Sequence, residues 1–503
     1  MSRDDMFRQA VAHHRRGELD RAGRIYARIL RERPEDADCL HLLGLVRAAA
    51  SDHDEARRLI DRAIALAPNA ILYRINLAET LLRQGQATQA EAVARDAVAI
   101  APGDDAALRS LAGVLRHQRR YEEACDLLKR ALTVAPPSPA TLTDIGATLN
   151  YLGLNEQSEK YTRLALRAAP DNPGLWNNLG LALKGQRRLD EAAQAFTKAA
   201  ATPLGRFGLA QTLLLAGRYR DAWPLFDARL DFMAPRELAD LPAWTGEPLA
   251  GRTLLVQTEQ GVGDTIMMGR FLEPLSHMGG RIVVRAPAAQ RDLVAAMAGS
   301  HRVADAADPV AGDVWVPMMS LPRWLGVDDV AQIPPPARLA VPPPTRTGAR
   351  RRAGLVWRGN PAHRYDGCRS MRPDTLRPLI AARPDIEWLS VYKGPDDAAE
   401  SAELGVPHAL ADSATFLQTA ARMAGLDLLV TVDTAVAHLA GSVGLPAIVM
   451  INKDCDWRWL ADGTDSPWYP QARVLRQDVE GEWTAVIGRA IDATAALLPR
   501  PTD

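Results

Sequence analysis

The sequence predicts a helical repeat array in its first half, followed by two α/β lobes. Prolines recur every 34 residues, at Pro34, Pro68, Pro102, Pro136 and Pro170, and Pro203 follows 33 residues later. Proline ends a helix, so a fixed interval of this length indicates stacked helical repeats. After residue 250, short apolar runs alternate with helical stretches, a pattern typical of parallel sheets. A chain of 503 residues is long enough for such a multidomain plan.

The repeats also share small residues, which mark places where two helices approach closely. Alanines recur at multiples of 34 residues, at Ala22, Ala56, Ala90, Ala124 and Ala192. Glycines recur at two other positions of the repeat: one series is Gly44, Gly146 and Gly180, and the other is Gly17, Gly85 and Gly153. The stretch "WNNLGLALKGQRRLDEAAQAF" (176–196) resembles the tetratricopeptide (TPR) repeat. We predict six repeats over about 3–206 and a shortened seventh carrying Gly217, Ala222 and Phe226. Such an array forms a groove for a peptide or protein segment; the alternative is a spacer or dimerisation arm.

Five segments follow from these patterns. We expect a TPR superhelix over 1–228, a connector over 229–252, a first Rossmann-like lobe over 253–340, a linker over 341–352 and a second lobe over 353–503. The expected strands are 253–257, 281–286 and 313–318 in the first lobe, and 353–359, 387–394, 428–433 and 447–452 in the second. Residues 482–498 read as a terminal amphipathic helix.

Composition excludes several classes of function. The formal net charge is −1, so a general role in nucleic-acid binding is not expected. The N-terminus lacks the apolar segment of a secretory signal, and no run approaches the roughly 18 apolar residues of a membrane span. The four cysteines are far apart without a CxxC pair, which argues against a zinc site or a disulfide framework. We therefore expect a cytoplasmic protein.

Ligands of parallel sheets lie beyond the carboxyl ends of strands, so the residues that follow each strand are the candidate site. "VQTEQGVGDTIMMGR" (256–270) joins the first strand to a helix, but it lacks both GxGxxG and the GK[ST] of a P-loop. Asp264 stands at the helix start, where the helix dipole favours a carboxylate, and is our candidate general base. Glu259 is a second candidate, and a plain helix cap is the alternative for Asp264. The expected acceptor loop contains Gly261, Gly263 and Thr265.

The stretch "DTAVAHLAGSVGLP" in the second lobe predicts an anion site at a helix N-terminus. Asp433 is expected to cap the helix, leaving the N–H groups of Thr434, Ala435 and Val436 facing the cleft. His438 lies one turn further on; a buried core histidine is the alternative.

Several further residues follow strands of the second lobe and are candidates for binding the phosphates of a ligand. These residues are Arg358, Asn360, His363, Arg369 and Lys393, each with a surface role as the alternative. Residues 452–470 are expected to form a long loop. Asp454-Cys455-Asp456 within it is a weak DxD match for manganese, and Trp457, Arg458 and Trp459 are expected to pack the loop or flank a nucleotide.

Together, "TLLVQTEQGVGDTIMMGRFL", "GLVWRGNPAH", "VTVDTAVAHLAGSVGLP" and "DWRWL" resemble bacterial TPR-containing glycosyltransferases. Their catalytic half is similar to the ADP-heptose:lipopolysaccharide heptosyltransferase family, which has the GT-B fold. The resemblance implies transfer of a sugar from a nucleotide-activated donor, with inversion and without a metal or other cofactor. It implies that Asp264 is the base, that Asp433, Thr434, Ala435 and His438 contact the donor's diphosphate and ribose, and that Lys393 compensates phosphate charge. Ala435 replaces the family's usual glycine, so the donor's identity does not carry over.

A TPR arm on such a domain also resembles bacterial flagellin glycosyltransferases and the eukaryotic O-GlcNAc transferase. The first expectation is thus a protein O-glycosyltransferase. It would move a sugar, such as a nonulosonic acid, onto Ser or Thr of a protein held by the arm, with flagellin as the expected acceptor. The alternatives are a heptosyltransferase-like enzyme acting on lipopolysaccharide or another glycan, and a non-catalytic TPR scaffold.

Overall fold

The computed structural model describes residues 2–299, 301–309, 311–342, 350–361, 366–394, 396–411 and 413–500. The chain forms two compact units, Met1–Asp171 and Asn172–Asp503. Part of the expected linker 341–352 lies outside the described residues. Among the described residues, no helix is both long enough and apolar enough to cross a membrane.

The first unit is built from consecutive helix pairs, as the 34-residue interval predicts. Its helices are α1 (Arg3–Arg15), α2 (Leu19–Glu32), α3 (Ala37–Ala49), α4 (His53–Leu66), α5 (Ile71–Arg83), α6 (Ala87–Ile100), α7 (Asp105–His117), α8 (Tyr121–Val134), α9 (Pro139–Tyr151) and α10 (Asn155–Ala168). The second helix of each pair ends two residues before the recurring proline, as α2 does before Pro34.

The recurring small residues have the steric role that the sequence assigns to them. A Cβ added to Gly44 would lie 2.6 Å from Cγ1 of Ile60, and one added to Gly146 would lie 2.6 Å from Oγ1 of Thr162. Both distances are too short for non-bonded atoms, so only glycine lets the two helices of a pair approach this closely. Gly85, in the turn between paired helices, has a φ of 74°, in the left-handed region that glycine adopts at little cost.

The second unit begins with four more repeat helices, which complete the predicted sixth repeat and shortened seventh. These are α11 (Pro173–Gly185), α12 (Leu189–Lys198), α13 (Pro203–Leu215) and α14 (Tyr219–Phe226). Gly180 again permits close pairing, since a Cβ there would lie 2.8 Å from the ring of Phe196. A short helix, α15 (Leu230–Met233), follows in the connector.

A four-stranded parallel sheet comes next, with spatial order β3-β2-β1-β4. Its elements are β1 (Thr253–Gln257), α16 (Val262–Met268), α17 (Leu272–Ser276), β2 (Arg281–Ala286), α18 (Arg291–Ala295), β3 (Arg302–Asp305), β4 (Val314–Pro317) and α19 (Leu321–Trp324). In the centre, Leu255 of β1 pairs with Val283 of β2 on one side and Trp315 of β4 on the other. Sequence analysis missed β3, because this short edge strand lacks an alternation of apolar and polar residues and is only partly buried.

The second sheet has six strands in the order β6-β5-β7-β8-β10-β9, parallel except for the β9–β10 pair. Its elements are β5 (Arg352–Val356), α20 (Asp366–Arg369), α21 (Arg377–Ala382), β6 (Glu387–Ser390), α22 (Asp397–Leu404), α23 (Phe416–Met423), β7 (Leu428–Val432), α24 (Ala435–Val443), β8 (Ala447–Ile451), β9 (Asp465–Ser466), β10 (Tyr469–Arg476) and α25 (Thr484–Leu497). The terminal helix is confirmed.

The expectation of a long loop over 452–470 is wrong for the end of this stretch, which forms β9 and the start of β10. Sequence analysis missed β10, because exposed and buried positions do not alternate strictly along this strand. Pairing with the buried strand β8 gives it its place in the sheet.

The strand orders locate the places where a ligand can enter. In the first sheet β2 and β4 flank β1, and in the second β6 and β7 flank β5. Loops that leave neighbouring parallel strands in opposite directions open a crevice at the carboxyl ends of those strands. The β1–α16 and β7–α24 loops, which carry the main candidate residues, begin at such ends.

Candidate functional site

A buried ion pair between Arg229 and Glu259 holds the β1–α16 loop. Arg229 is fully buried and donates to both carboxylate oxygens of Glu259, at 2.9 Å from Nε and 2.6 Å from Nη2. The N–H of Met319, just after β4, adds a third hydrogen bond to Glu259 at 3.0 Å. The Glu259 carboxylate is therefore engaged on the inner side of the loop, where it fixes the loop to the sheet.

Asp264 lies in the first turn of α16 and closes the loop on its outer side. Its Oδ2 accepts the N–H of Gly261 at 2.8 Å, so the side chain reaches back to the residue before the helix. Gln260 has a φ of 60°, a left-handed conformation that is uncommon for a residue with a side chain. The hydroxyl of Thr265 points elsewhere, and donates to Gln290 at 2.9 Å.

The β7–α24 loop differs from the prediction in its cap. Thr434, not Asp433, is the N-cap of α24, and its Oγ1 accepts the N–H of Val436 at 3.3 Å. Both residue types cap helices well, and the backbone conformation selects Thr434 here. Asp433 instead faces the interior of the site, where burial and the neighbouring charge of Asp456 raise its carboxyl pKa.

His438, one turn into α24, is almost completely buried. Its Nδ1 lies 2.8 Å from the hydroxyl of Tyr469, and its ring stacks on Trp459 with centroids 5.8 Å apart. Burial, reinforced by the positive charge of Arg458, lowers the His438 pKa to about 3, so the imidazole is neutral near pH 7.

The two loops meet where α16 touches α24. A Cβ on Gly263 would lie 2.8 Å from Cδ2 of His438 and 3.6 Å from Cα of Ala435. The glycine spacing seen in the sequence thus lets one helix start rest directly against the other. As a result, Asp264 and the N-terminus of α24 face the same space.

A third element, residues 454–468 (the tryptophan segment), completes the site. Arg458 from this segment forms an ion pair with Oδ1 of Asp264, and its Nη1 donates to Asp456 at 2.5 Å. The guanidinium also packs over the ring of Trp457, 4.6 Å from its centroid. Burial opposes the charge on Arg458, but the carboxylates of Asp264 and Asp456 outweigh it and raise the pKa of Arg458. Arg458 therefore remains cationic at the centre of the site.

The other expected phosphate-binding residues have partners of their own. Arg358 pairs with Glu400, and Arg369 donates to Asp366 at 3.3 Å. Lys393 is exposed and donates to a main-chain carbonyl, that of Ser413. Asn360 follows on the exposed loop after β5, and His363 lies outside the described residues.

The carboxylates of the DxD match are also paired. Asp454 lies 3.2 Å from Nζ of Lys184, and Asp456 holds Arg458. Across the part of the chain that the structure describes, no group of three or more His, Cys, Asp or Glu side chains has the arrangement of a metal site.

Sequence analysis missed the pairing role of two residues. Arg458 was expected only to pack its loop or flank a nucleotide, and Arg229 was not a candidate. Arg458 is 194 positions from Asp264 and Arg229 is 30 from Glu259, so neither pair leaves a local signal. Asp456, two residues before Arg458 in "DWR", is one local sign that this arginine is paired, because a buried arginine needs a carboxylate partner.

Comparison with known proteins supports the repeat assignment. The family described as tetratricopeptide repeat matches residues 41–105, 75–139 and 149–206. Protein FlbA of Caulobacter vibrioides is 26% identical over 331 residues, covering 57% of this chain and 54% of that protein. The chain thus spans about half the length of this curated relative. The N-terminal region consists of TPR repeats, and FlbA is a homologue.

Two solved structures show a limited similarity to part of this chain. The Cut9–Hcn1 hetero-tetramer of the APC/C has 14% identity and a TM-score of 0.39, covering 42% of this chain and 43% of that chain. The pilF protein of Pseudomonas aeruginosa has 20% identity and a TM-score of 0.34, covering 40% of this chain and 92% of that chain.

Proposed function

We propose that the chain is a protein O-glycosyltransferase of the metal-independent, inverting GT-B type, with a TPR arm that captures the acceptor protein. One observation carries the proposal: Gly263, next to Asp264 at the end of one parallel sheet, packs closely on Ala435 and His438 of α24, at the end of another. A carboxylate opposite an anion-binding helix start suits transfer from a phosphate-activated donor to a hydroxyl.

In the proposed step, a Ser or Thr hydroxyl oxygen of the acceptor attacks the anomeric carbon of the donor sugar. The bond between that carbon and the phosphate oxygen breaks, and the nucleotide leaves with the bonding electrons. Asp264 accepts the hydroxyl proton. Because Glu259 is engaged by Arg229 and Met319, we assign it to holding the loop and assign the base role to Asp264.

The donor's phosphates are proposed to bind at the start of α24. Main-chain N–H groups of Thr434 and Ala435, the Thr434 hydroxyl and the positive end of the helix dipole favour an anion there. His438 is neutral and buried, and its Nδ1 is occupied by Tyr469, so we propose that it contributes to the donor a hydrogen bond and not a charge; Nε2 donates in the tautomer in which Nδ1 accepts from the Tyr469 hydroxyl.

Seven helix pairs in the repeat region support a protein acceptor rather than a glycan, because TPR grooves characteristically hold extended polypeptide. We propose flagellin as the acceptor and a nonulosonic acid as the sugar.

The test is the intact mass of flagellin from cells with and without the gene. The deletion should lower the mass by that of the sugars, and the wild-type gene should restore it. Asp264→Asn should reduce transfer by about 10²-fold or more, the scale of general base catalysis. The matched control is Asp292→Asn, which alters an acid at the start of α18 and should transfer normally.

Two results would redirect the proposal. Unchanged flagellin mass in the deletion would move the acceptor to another protein held by the arm, or to a surface glycan. Near-wild-type transfer by Asp264→Asn would remove Asp264 from the mechanism.

A further inference from the structure

Asp264 has both carboxylate oxygens occupied in the structure. Oδ2 accepts the N–H of Gly261 at 2.8 Å, and Oδ1 is bound by Arg458. An acceptor hydroxyl needs one of these oxygens to receive its proton. Each oxygen can accept a second hydrogen bond, but if Asp264 is the base of the proposed function, on which this inference rests, the acceptor hydroxyl competes with the present partners for these oxygens. The Gly261 bond belongs to the start of α16, so Arg458 is the partner that can be exchanged.

Arg458 has a hydrogen-bond donor to spare. Nη1 is held by Asp456 and Nη2 by Asp264, but the buried Nε has no hydrogen-bond partner among the described residues. The next residue, Trp459, is fully buried, and its Nε1 also lacks a partner there. A buried donor left unpaired is unfavourable, so Arg458 would gain from a further hydrogen-bond acceptor.

Arg458 and Trp459 both lie beside the start of α24. Trp459 stacks on His438, and its indole N–H is close enough to Asp433 to favour the charged form of that carboxylate. The charge of Arg458 also acts on Asp433 and His438. An anion bound at the N-terminus of α24 would therefore come within reach of the guanidinium and the indole.

The main chain of the tryptophan segment is anchored to the last repeat helices. The N–H of Ala461 donates to the carbonyl of Leu215 at 2.9 Å, and Nε1 of Trp468 donates to the hydroxyl of Tyr219 at 2.8 Å. The ion pair between Lys184 and Asp454 adds a third anchor. These contacts hold the tryptophan segment at Asp454, Ala461 and Trp468. The exchange of partners by Arg458 therefore needs only rotation of its side chain.

We propose that Arg458 is an exchangeable ligand that links donor binding to release of the base. Without donor, Arg458 occupies Asp264. When a phosphate binds at the start of α24, the Arg458 guanidinium turns to its oxygens, and Oδ1 of Asp264 becomes free. The base then becomes available only when a donor is present, which protects the site from activating a hydroxyl with nothing to attack.

The experiment measures nucleotide affinity by calorimetry on the full chain. CMP, UDP, ADP and GDP are compared on the wild type, and the tightest of them is the probe. Asp264→Asn removes the competing carboxylate charge, so it should tighten binding of the probe about 3- to 10-fold. Arg458→Met should weaken binding about 10-fold, and Arg458→Lys should recover part of that loss. In the double variant, Asp264→Asn should bring no gain, because the arginine it releases is missing.

The control is a nearby ion pair outside the site. Arg489 of α25 and Asp478 form an exposed ion pair, 2.8 Å apart, and Asp478→Asn should leave affinity unchanged.

The outcomes separate the two ideas. If the wild type binds none of the four nucleotides, both the proposed donor site and the proposed exchange of Arg458 are wrong. If it binds one and Asp264→Asn leaves affinity equal or weaker, the exchange is wrong and the donor site stands. Should Arg458→Met fail to fold, the direction of the Asp264→Asn effect still decides, because a purely structural ion pair predicts no gain.

Discussion

Gly263→Ala tests whether the contact between α16 and α24 holds the site together. The added Cβ would lie 2.8 Å from Cδ2 and 3.3 Å from Nε2 of His438, whereas carbon atoms pack best at about 3.5–4.0 Å. The imidazole cannot turn aside easily, because Tyr469 holds Nδ1 at 2.8 Å and Trp459 stacks on its ring. The methyl group must therefore push the two helix starts apart by several tenths of an ångström.

Two opposing terms set the size of the effect. Overpacking of this kind costs about 1–3 kcal/mol, while replacing glycine by alanine in a helix gains up to about 1 kcal/mol. Gly488→Ala in α25 isolates the second term, because a Cβ there has nothing within 4 Å. We expect Gly488→Ala to stabilise slightly, and Gly263→Ala to be about 1–3 kcal/mol less stable than that control.

Urea unfolding followed by tryptophan fluorescence reports this difference selectively. All eleven tryptophans lie in the second unit, so the signal arises from that unit. A slope of about 3 kcal/mol per molar urea converts the expected difference to a midpoint lower by about 0.3–1 M. Equal midpoints for the two variants would show that α16 does not rest on His438, and the geometry proposed for Asp264 would lose its support.

Two further outcomes follow from the structure. Ser51 has a φ of 63° at the turn position where some other repeats have glycine. Ser51→Gly should therefore stabilise the first unit by about 1 kcal/mol and raise its melting temperature, measured by circular dichroism. An unchanged or lower melting temperature would contradict this. His438 has a folded-state pKa of about 3 against an ordinary 6.5, so the unfolded chain binds more protons as pH falls below 6.5 and the fold loses stability. The loss should be about 2 kcal/mol between pH 7 and pH 5, measured by tryptophan fluorescence in urea, and an equal pH dependence in His438→Gln would assign it to other groups.

The repeat region could be predicted closely because its information is local. In the first unit a proline follows the second helix of each pair by two residues, and glycine or alanine recurs at a 34-residue interval where paired helices touch. Strands of the sheets were harder to locate. Buried β7 and β8 are continuous apolar runs and were found, whereas β3 and β10 depend on a neighbouring strand for their place.

In the candidate site, each loop could be recognised but not the contacts between loops. The glycines around Asp264 and the "DTAVAH" helix start pointed to residues that the structure brings together. The cap was assigned to Asp433, and the structure gives it to Thr434, because two adjacent capping residues differ only in the backbone conformation they receive. The expected phosphate ligands Arg358 and Lys393 pair with Glu400 and a main-chain carbonyl, partners with no sequence signal.

By itself, the sequence determined the features that depend on neighbours along the chain: the repeat period, the strand and helix alternation, and the acid at the start of α16. Only the tertiary structure decided which charges meet. Arg458 reaches Asp264, and Arg229 reaches Glu259, because sheet pairing and the anchored tryptophan segment carry distant residues into one buried space. A buried charge must find an opposite partner, but which partner it finds is set by packing across the fold.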